Sequence, residues 1–228
     1  MARAPNGLFG KITGKIGDFT VRNVKGKTVV SARPSHYNVS NSLKSIESRG
    51  KFKVTVAFSR VVNGLSALQA IWNIKNAADA SEYHTIFKYN FNLSSSKAPT
   101  LNNIITPNGI WSPVIDVSIN TEKLIGSLAP FDTQIEIKGD EAKVSINAVV
   151  SLSDPKNADD PYFNIFALSK VVADFNFSEQ YDFEIGLNPE AAANVAKYNQ
   201  KIIYLAVAIK SKNNEILCYS KSYSKMIE

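Results

Sequence analysis

The stretch A-K-V-S-I-N-A-V-V-S-L, residues 142–152, decides the fold class of this chain. Its apolar residues recur at every second position from Val144 to Leu152. This period of two is typical of a β-strand that turns one face toward a core. The same period recurs through residues 106–228, and we therefore predict that this region is a domain built from strands.

Turn sequences such as Lys138-Gly139-Asp140 and Asp154-Pro155 separate the candidate strands of this region. The candidate strands are residues 111–119, 133–137, 142–152, 162–169, 171–177, 181–187, 202–210 and 216–223. Short strands at this spacing, without alternating long helices, predict an antiparallel sandwich of immunoglobulin or fibronectin type. One late helix is expected at residues 190–198, with Asn188 as its cap and Pro189 at its first helical position.

The preceding segment, residues 36–105, is predicted to be helical. Apolar residues fall at three- and four-residue spacing from Leu43 to Trp72, and Asn63-Gly64 breaks this pattern into two helical pieces. A third short helix is expected from Asp79. Its aromatic residues recur at every fourth position: Tyr83, Phe87 and Phe91. We interpret this stripe as packing against the β body, with a binding face as the alternative; Trp72 and Trp111 are interpreted as core anchors.

The amino terminus, residues 1–35, is predicted to be a glycine-rich arm followed by a β-hairpin. Its glycines recur every three or four residues from Gly7 to Gly17, which disfavours a helix. Residues 16–22 and 27–33 alternate around a turn at residues 23–26, and Phe19 and Val21 are expected to share a face with Val29, and with Ala32 or Val30. A lone hairpin is marginal in water, so this one is expected to lie on its own body or on a partner.

Charge is distributed unevenly along the chain. Residues 1–60 hold twelve Lys and Arg against Asp18 and Glu47, a net charge of +10, and the remainder holds fourteen basic and eighteen acidic residues, a net charge of −4. A basic arm ahead of a mildly acidic body suits a nucleic acid or a membrane surface. It suits equally the acidic body of another copy of the chain.

The glycine cluster does not fit a phosphate-binding loop, because Phe9 and Ile16 stand where that motif needs Gly and Ser or Thr. His36 and His84 have no partner at ligand spacing, and Cys218 is the single cysteine. The loop at residues 154–160 is rich in oxygen ligands. Lys156 nevertheless occupies the second ligand position of a calcium loop, so a capped surface turn is preferred over a calcium site. We predict no enzyme, no metal and no cofactor.

No apolar run approaches the roughly 20 residues that span a bilayer, and the first residues lack the continuous apolar core of about 7–15 residues that a signal peptide needs. The chain is therefore expected to be synthesised in the cytoplasm without a Sec signal and to have no membrane span. A single cysteine fits a reducing compartment.

The opening M-A-R-x-x-N-G-L-F-G-x-x-x-G-K-I-G, followed by K-G-K and by S-A-R-P at the end of the second strand, resembles the amino terminus of a family of proteins of unknown function common in Bacteroidota. The resemblance continues around residues 48–52 and, more weakly, around residues 202–207 and 220–223. It implies an arm, a helical segment and an immunoglobulin-like body, and it supplies no catalytic residues. This chain has His36-Tyr37-Asn38-Val39 where the family has a proline-rich linker.

These observations predict a non-enzymatic structural or attachment protein that assembles with copies of itself, or with other structural proteins, in a particle such as a phage virion or a filament. The alternative is a nucleic-acid-binding module that uses the basic amino-terminal region. In both cases the expected contact residues lie in the arm and hairpin: Arg3, Phe9, Lys11, Lys15, Phe19, Arg22, Lys25, Lys27 and Arg33.

Overall fold

The computed structural model of the chain describes residues 12–24, 26–36, 39–75, 81–131 and 143–227. These residues form four helices and eleven strands in three sheets, an α+β architecture as predicted. The chain divides into two compact units, Met1–Ser42 and Leu43–Glu228. The helical segment and the carboxy-terminal strands therefore belong to one unit.

The first unit holds a three-stranded antiparallel sheet in the order β1-β2-β3. Its strands are β1 (Gly14–Ile16), β2 (Phe19–Val24) and β3 (Lys27–Ala32). The prediction of a single strand over residues 16–22 was wrong, because the chain reverses at Gly17-Asp18 and pairs Ile16 with Phe19. Gly17 and Gly26 adopt φ angles of +53° and +78° in the two turns, a region that favours glycine. The predicted arm over residues 1–11 lies outside the described residues.

The helices of the second unit are α1 (Leu43–Gly64), α2 (Ser66–Lys75), α3 (Glu82–Asn90) and α4 (Pro189–Lys197). The break predicted at Asn63-Gly64 is confirmed, and α1 and α2 meet there at a bend of 105°. Among the described helices none is by itself long and apolar enough to cross a membrane. Only the bent pair of α1 and α2, taken together, passes that test of length and composition.

Side-chain caps start the two shorter helices. The Asn188 side-chain oxygen accepts a hydrogen bond from the Ala191 backbone N–H at 2.7 Å, with Pro189 in the first turn, as predicted. Ser81 caps α3 and accepts a hydrogen bond from the His84 backbone N–H at 3.4 Å. The start predicted at Asp79 lies outside the described residues.

Eight strands complete the second unit: β4 (Val114–Ile119), β5 (Lys123–Leu128), β6 (Lys143–Pro155), β7 (Phe163–Val172), β8 (Tyr181–Gly186), β9 (Tyr198–Lys210), β10 (Ile216–Tyr219) and β11 (Tyr223–Ile227). The smaller antiparallel sheet has the order β4-β5-β8. The larger has the order β10-β9-β6-β7, and β11 also pairs with β9.

Three strand predictions were wrong and one lies outside the described residues. Strand β5 was missed because Gly126 interrupts its pattern; a Cβ there would lie 2.6 Å from the ring of Phe183, so glycine lets the ring approach the backbone. Residues 162–177 contain one strand, β7, where two were expected, and residues 216–223 span β10 and the start of β11. The strand predicted at 133–137 is not among the described residues.

The main core lies between the two sheets. Alternate residues of β6 and β9, including Ile146 and Val207, point into it and pack with Leu124 of β5 and Phe183 of β8. Trp111 is 4% exposed and stacks edge-on with Phe131, which confirms it as a core anchor.

A second core lies on the opposite face of the larger sheet, where α1, α2 and α3 pack. Phe58 contacts Tyr204 with ring centroids 5.2 Å apart, and Trp72 is fully buried, as predicted. Strands β6 and β9 are thus buried on both faces. Ser145 and Asn147, on the side of β6 away from the main core, are also buried.

The aromatic stripe of α3 packs against α1. Phe87 contacts Phe52 with ring centroids 5.3 Å apart, and the ammonium of Lys51 lies 5.8 Å from the Phe91 ring centroid. The prediction that this stripe covers the β body was wrong, because Ile86 and Asn90, on another side of α3, supply its buried residues.

Buried hydrogen bonds hold the connection between α3 and β4 in place. The Asn90 amide donates to the carbonyls of Ile86 and Ile104 at 3.0 Å each and accepts from the Ile104 N–H at 2.9 Å. The Ser222 hydroxyl accepts from the N–H groups of Ile105 and Thr106 at 2.8 Å each. These bonds satisfy backbone groups that would otherwise be buried without partners.

Gly109 provides a test of this connection. A Cβ at Gly109 would lie 2.2 Å from the backbone carbon of Ser220, so Gly109→Ala is expected to lower the free energy of unfolding by about 1–3 kcal/mol or more. The measurement is urea unfolding followed by circular dichroism. Gly64→Ala is the matched control: nothing lies within 4 Å of its added Cβ, so it should leave stability unchanged or raise it. Equal stability of the two variants would contradict the close packing at Gly109.

Candidate assembly interface

The sheet of the first unit has one apolar face. The register pairs Ile16 with Phe19, Val21 with Val30, and Phe19 with Ala32, and directly opposed residues of an antiparallel pair share a face. Val21, on the central strand, is 6% exposed. The flanking side chains are open to solvent, with exposures of 45% for Ile16, 51% for Phe19 and 59% for Val30. This face therefore presents apolar surface of the kind that mediates contacts between proteins.

The opposite face of the same sheet is cationic. Lys15, Arg22 and Lys27 lie on it, together with Val29, which is paired with Arg22. All three cations are exposed. The expected parity of Phe19 with Val29 was wrong; Phe19 shares its face with Val30 and Ala32.

The structure thus separates the predicted contact residues into two groups. Phe19 belongs to the apolar face and three cations belong to the other. Arg33 follows β3, is exposed, and donates its backbone N–H to the carbonyl of Asp18 at 2.6 Å. The remaining predicted contact residues lie outside the described residues: Arg3, Phe9, Lys11 and Lys25.

Sequence reasoning missed an acidic surface on the second unit. Asp116 of β4 and Asp182 of β8 both pair with Ser127 of β5, and Glu184 pairs with Ile125, so all three carboxylates lie on the outer face of the smaller sheet. All three residues are exposed. The signal was in the sequence, since residues 171–196 contain five acidic residues and no Lys or Arg.

Two of these carboxylates have lysine partners. Lys225 of β11 lies 2.5 Å from Asp116, and its hydrogen bond is the main cause of the lowered pKa of that carboxyl. Lys123 lies 2.7 Å from Glu184. Exposed pairs of this kind contribute little to stability, because solvent screens them. Asp182 has a hydrogen bond from the Gln180 amide at 3.1 Å.

The groups considered for catalysis or metal binding have protein partners. His84 Nδ1 lies 2.8 Å from the Ser81 hydroxyl oxygen, and His36 is exposed. In the loop after β6, Asp154 accepts from the Asn199 amide at 3.0 Å, and Asp160 lies 3.4 Å from the ammonium of Lys197. Within the described ranges, no group of three His, Cys, Asp or Glu side chains is arranged to hold a metal ion.

A cleft of about 500 Å³ lies beside the loop that follows α3. Its rim includes Tyr162, whose ring centroid is 5.7 Å from the ammonium of Lys97. Among the described residues that line this cleft, the titratable side chains are Lys97 and Tyr162.

No protein-family model and no curated protein matches the chain. Among solved structures, it is similar to part of β-glucosidase 3B from Thermotoga neapolitana, with 16% identity, a TM-score of 0.22, and coverage of 63% of this chain and 19% of that one. It is also similar to part of a β-glucosidase from Kluyveromyces marxianus, with 11% identity, a TM-score of 0.17, and coverage of 50% and 14%. The chain thus spans less than a fifth of the length of either enzyme.

Cys218 gives a prediction for pH dependence. Burial raises the pKa of its thiol from 9.0 to about 11. Above pH 9 the unfolded chain therefore binds fewer protons at this residue than the folded chain, so the thiol's contribution to stability decreases as the pH rises from 9 to 11. The measurement is the urea midpoint across this range for the wild type and for Cys218→Ala. The variant should show the shallower decline, and parallel curves would contradict the assignment.

Proposed function

We propose that this chain is a structural protein that assembles with copies of itself through its amino-terminal unit. The observation that supports the proposal is the exposed apolar face of β1, β2 and β3. Contiguous exposed apolar side chains of this kind are typical of surfaces that contact another protein. Covering Ile16, Phe19 and Val30 on a partner removes side chains from water that are each worth about 1.5–3 kcal/mol when fully buried.

The apolar face of β1, β2 and β3 is small, which favours an assembly in which the same contact is repeated between many copies. Three strands about 4.8 Å apart, each spanning at most six residues, cover on the order of 300 Å², whereas a standard interface buries about 800 Å² on each partner. Further exposed apolar side chains follow directly along the chain: Val39, Leu43 and Ile46. A small contact repeated around a ring gains strength through effective concentration, because the contact that closes the ring is intramolecular.

Charge also supports association between copies. The exposed cations of the amino-terminal sheet are opposite in charge to the exposed carboxylates of the smaller sheet, two of which, Asp116 and Glu184, also have lysine partners. Complementary potentials raise the rate of encounter and favour one orientation of approach. Association between basic and acidic surfaces of one sequence joins unlike surfaces, which produces closed rings or open filaments.

We further propose that the second unit is an immunoglobulin-type sandwich with a helical layer added to one face. The strand orders β4-β5-β8 and β7-β6-β9-β10 follow the pattern in which strands A, B and E oppose strands C, F and G. This domain is a common scaffold in structural and surface proteins. In this proposal the chain has no catalytic role, and its site of action is an assembled particle such as a virion or a filament.

Nucleic-acid binding is the second candidate function, because Lys15, Arg22 and Lys27 lie on one face of the sheet. Three cations on one face support sequence-independent phosphate contact. A gel-shift titration with duplex and single-stranded oligonucleotides at low and high salt tests this role. Lack of a shift at low salt would eliminate it.

The assembly proposal predicts that Phe19→Asp combined with Val30→Asp converts the chain to monomers. Each substitution places a carboxylate on the apolar face, and a charge cannot be buried there without a large free-energy cost. The measurement is mass in solution by light scattering and sedimentation across a wide concentration range, for the wild type and for the variant.

Ile110→Asp is the matched control, because Ile110 is 68% exposed and lies in the second unit. This variant should assemble as the wild type does. A chain that begins at Ser40 should also be monomeric and keep the circular dichroism of the second unit. The proposal fails if the wild type is a monomer at all concentrations, or if all these variants assemble equally.

A further inference from the structure

We infer that strand β3 of one copy pairs with strand β8 of a second copy, so that the amino-terminal sheet extends the smaller sheet of its neighbour. The inference rests on the proposed function and names the partner surface. Three observations support it: both strands are at sheet edges, their faces match in polarity, and their charges are opposite.

Strand β3 is an edge with every feature that favours added pairing. Among the described residues it pairs with β2 alone. Its central residues are Thr28, Val29, Val30 and Ser31, of which the first three are exposed and three are β-branched. An exposed edge of this composition, with unpaired backbone groups, is a template for another strand.

Strand β8 is the corresponding edge of the smaller sheet. It pairs with β5 alone within the part of the chain that the structure describes. Strand β4 at the other edge approaches β11, where Lys225 and Asp116 form an ion pair. At β8 the approach is looser: the Lys170 ammonium donates to the Glu184 carbonyl at 3.4 Å. The same ammonium lies 5.9 Å from the Tyr181 ring centroid, so a strand that adds to β8 must displace both contacts of Lys170.

The two strands match on both faces. In β3, Lys27 and Val29 lie on the cationic face and Val30 lies on the apolar face. In β8, Asp182 and Glu184 point outward while Phe183 and Ile185 are buried toward the core. Pairing that brings the cations beside the carboxylates also brings Val30 to the side of Phe183, because side chains alternate on both strands.

Charge distinguishes β8 from a second β3 as the partner. Lys27 begins β3 and Arg33 directly follows it, so antiparallel pairing of two β3 strands brings cations together at both ends. Like charges opposite one another destabilise a strand pair. Pairing with β8 replaces this repulsion by attraction to Asp182 and to Glu184, whose carboxylate also has Lys123 as a partner. It joins unlike surfaces that can continue from copy to copy.

A charge exchange tests the pairing. The first variant combines Lys27→Glu with Arg33→Glu, so that β3 and β8 are both acidic. The second combines Asp182→Lys with Glu184→Lys, so that both strands are basic. Each variant alone is expected to remain monomeric at concentrations where the wild type assembles. An equimolar mixture should assemble, because each acidic strand then meets a basic one, and one chain with all four substitutions should assemble alone.

Two controls accompany this experiment. Lys75→Glu with Lys221→Glu makes the same change in net charge on exposed residues of the second unit and should assemble as the wild type does. If the second variant does not fold, the first is added in small amounts to the wild type. Its β8 accepts a wild-type β3 while its own β3 binds nothing, so it should shorten the assemblies.

The outcomes separate this inference from the proposed function. If the mixture stays monomeric while Phe19→Asp with Val30→Asp still abolishes wild-type assembly, the pairing of β3 with β8 is wrong and the assembly function stands. Assembly of either charge variant alone also overturns the pairing. If the wild type never assembles, both fail.

Discussion

The antiparallel pairing of β6 with β9 is the interaction on which the second unit depends. The pairing runs from Lys143 opposite Lys210 to Pro155 opposite Tyr198. Both strands are buried on both faces, so the pair of strands contributes to two cores. The smaller sheet covers one face of the pair and the helices cover the other. A buried strand must satisfy its backbone groups within the sheet, and the pairing, continuous from Lys143 to Ser153, does so. Every other described element of the unit packs on this pair of strands or on an element next to it.

Local signals in the sequence were sufficient for the elements that local chemistry controls. Asn188 and Pro189 marked the start of α4, and Asn63-Gly64 marked the bend between α1 and α2, because caps and glycine breaks act within a few residues. Strand β5 was missed because its sequence depends on a contact with a residue that is distant along the chain. Its glycine weakens the local pattern, and only Phe183, distant in sequence, explains why glycine is required there.

The composition of the candidate interface could be predicted from the sequence, but the arrangement of its side chains on the sheet could not. The sequence indicated a basic amino terminus with Phe9 and Phe19 as apolar contact residues, but the turn at Gly17 shifts the register of the first strand, and register decides which side chains share a face. The burial of Ser145 and Asn147 also depends on tertiary packing and could not be predicted from the local sequence pattern. A polar residue on alternate positions indicates solvent only when nothing packs above it, and small polar residues let helices approach closely. The acidic face of the smaller sheet requires the pairing of three strands that are separated along the chain.

The position of β9 near the end of the chain also affects biosynthesis. The amino-terminal sheet leaves the ribosome first, and its pairing is local, so it can form while the rest is being made. The second unit cannot close until residues 198–227 supply β9, β10 and β11. Strand β8 therefore lacks its supporting sandwich until β9 has been synthesised. In the proposed pairing of β3 with β8, the strand that a chain contributes is made early in translation, whereas the edge that accepts a strand is complete only in the finished second unit.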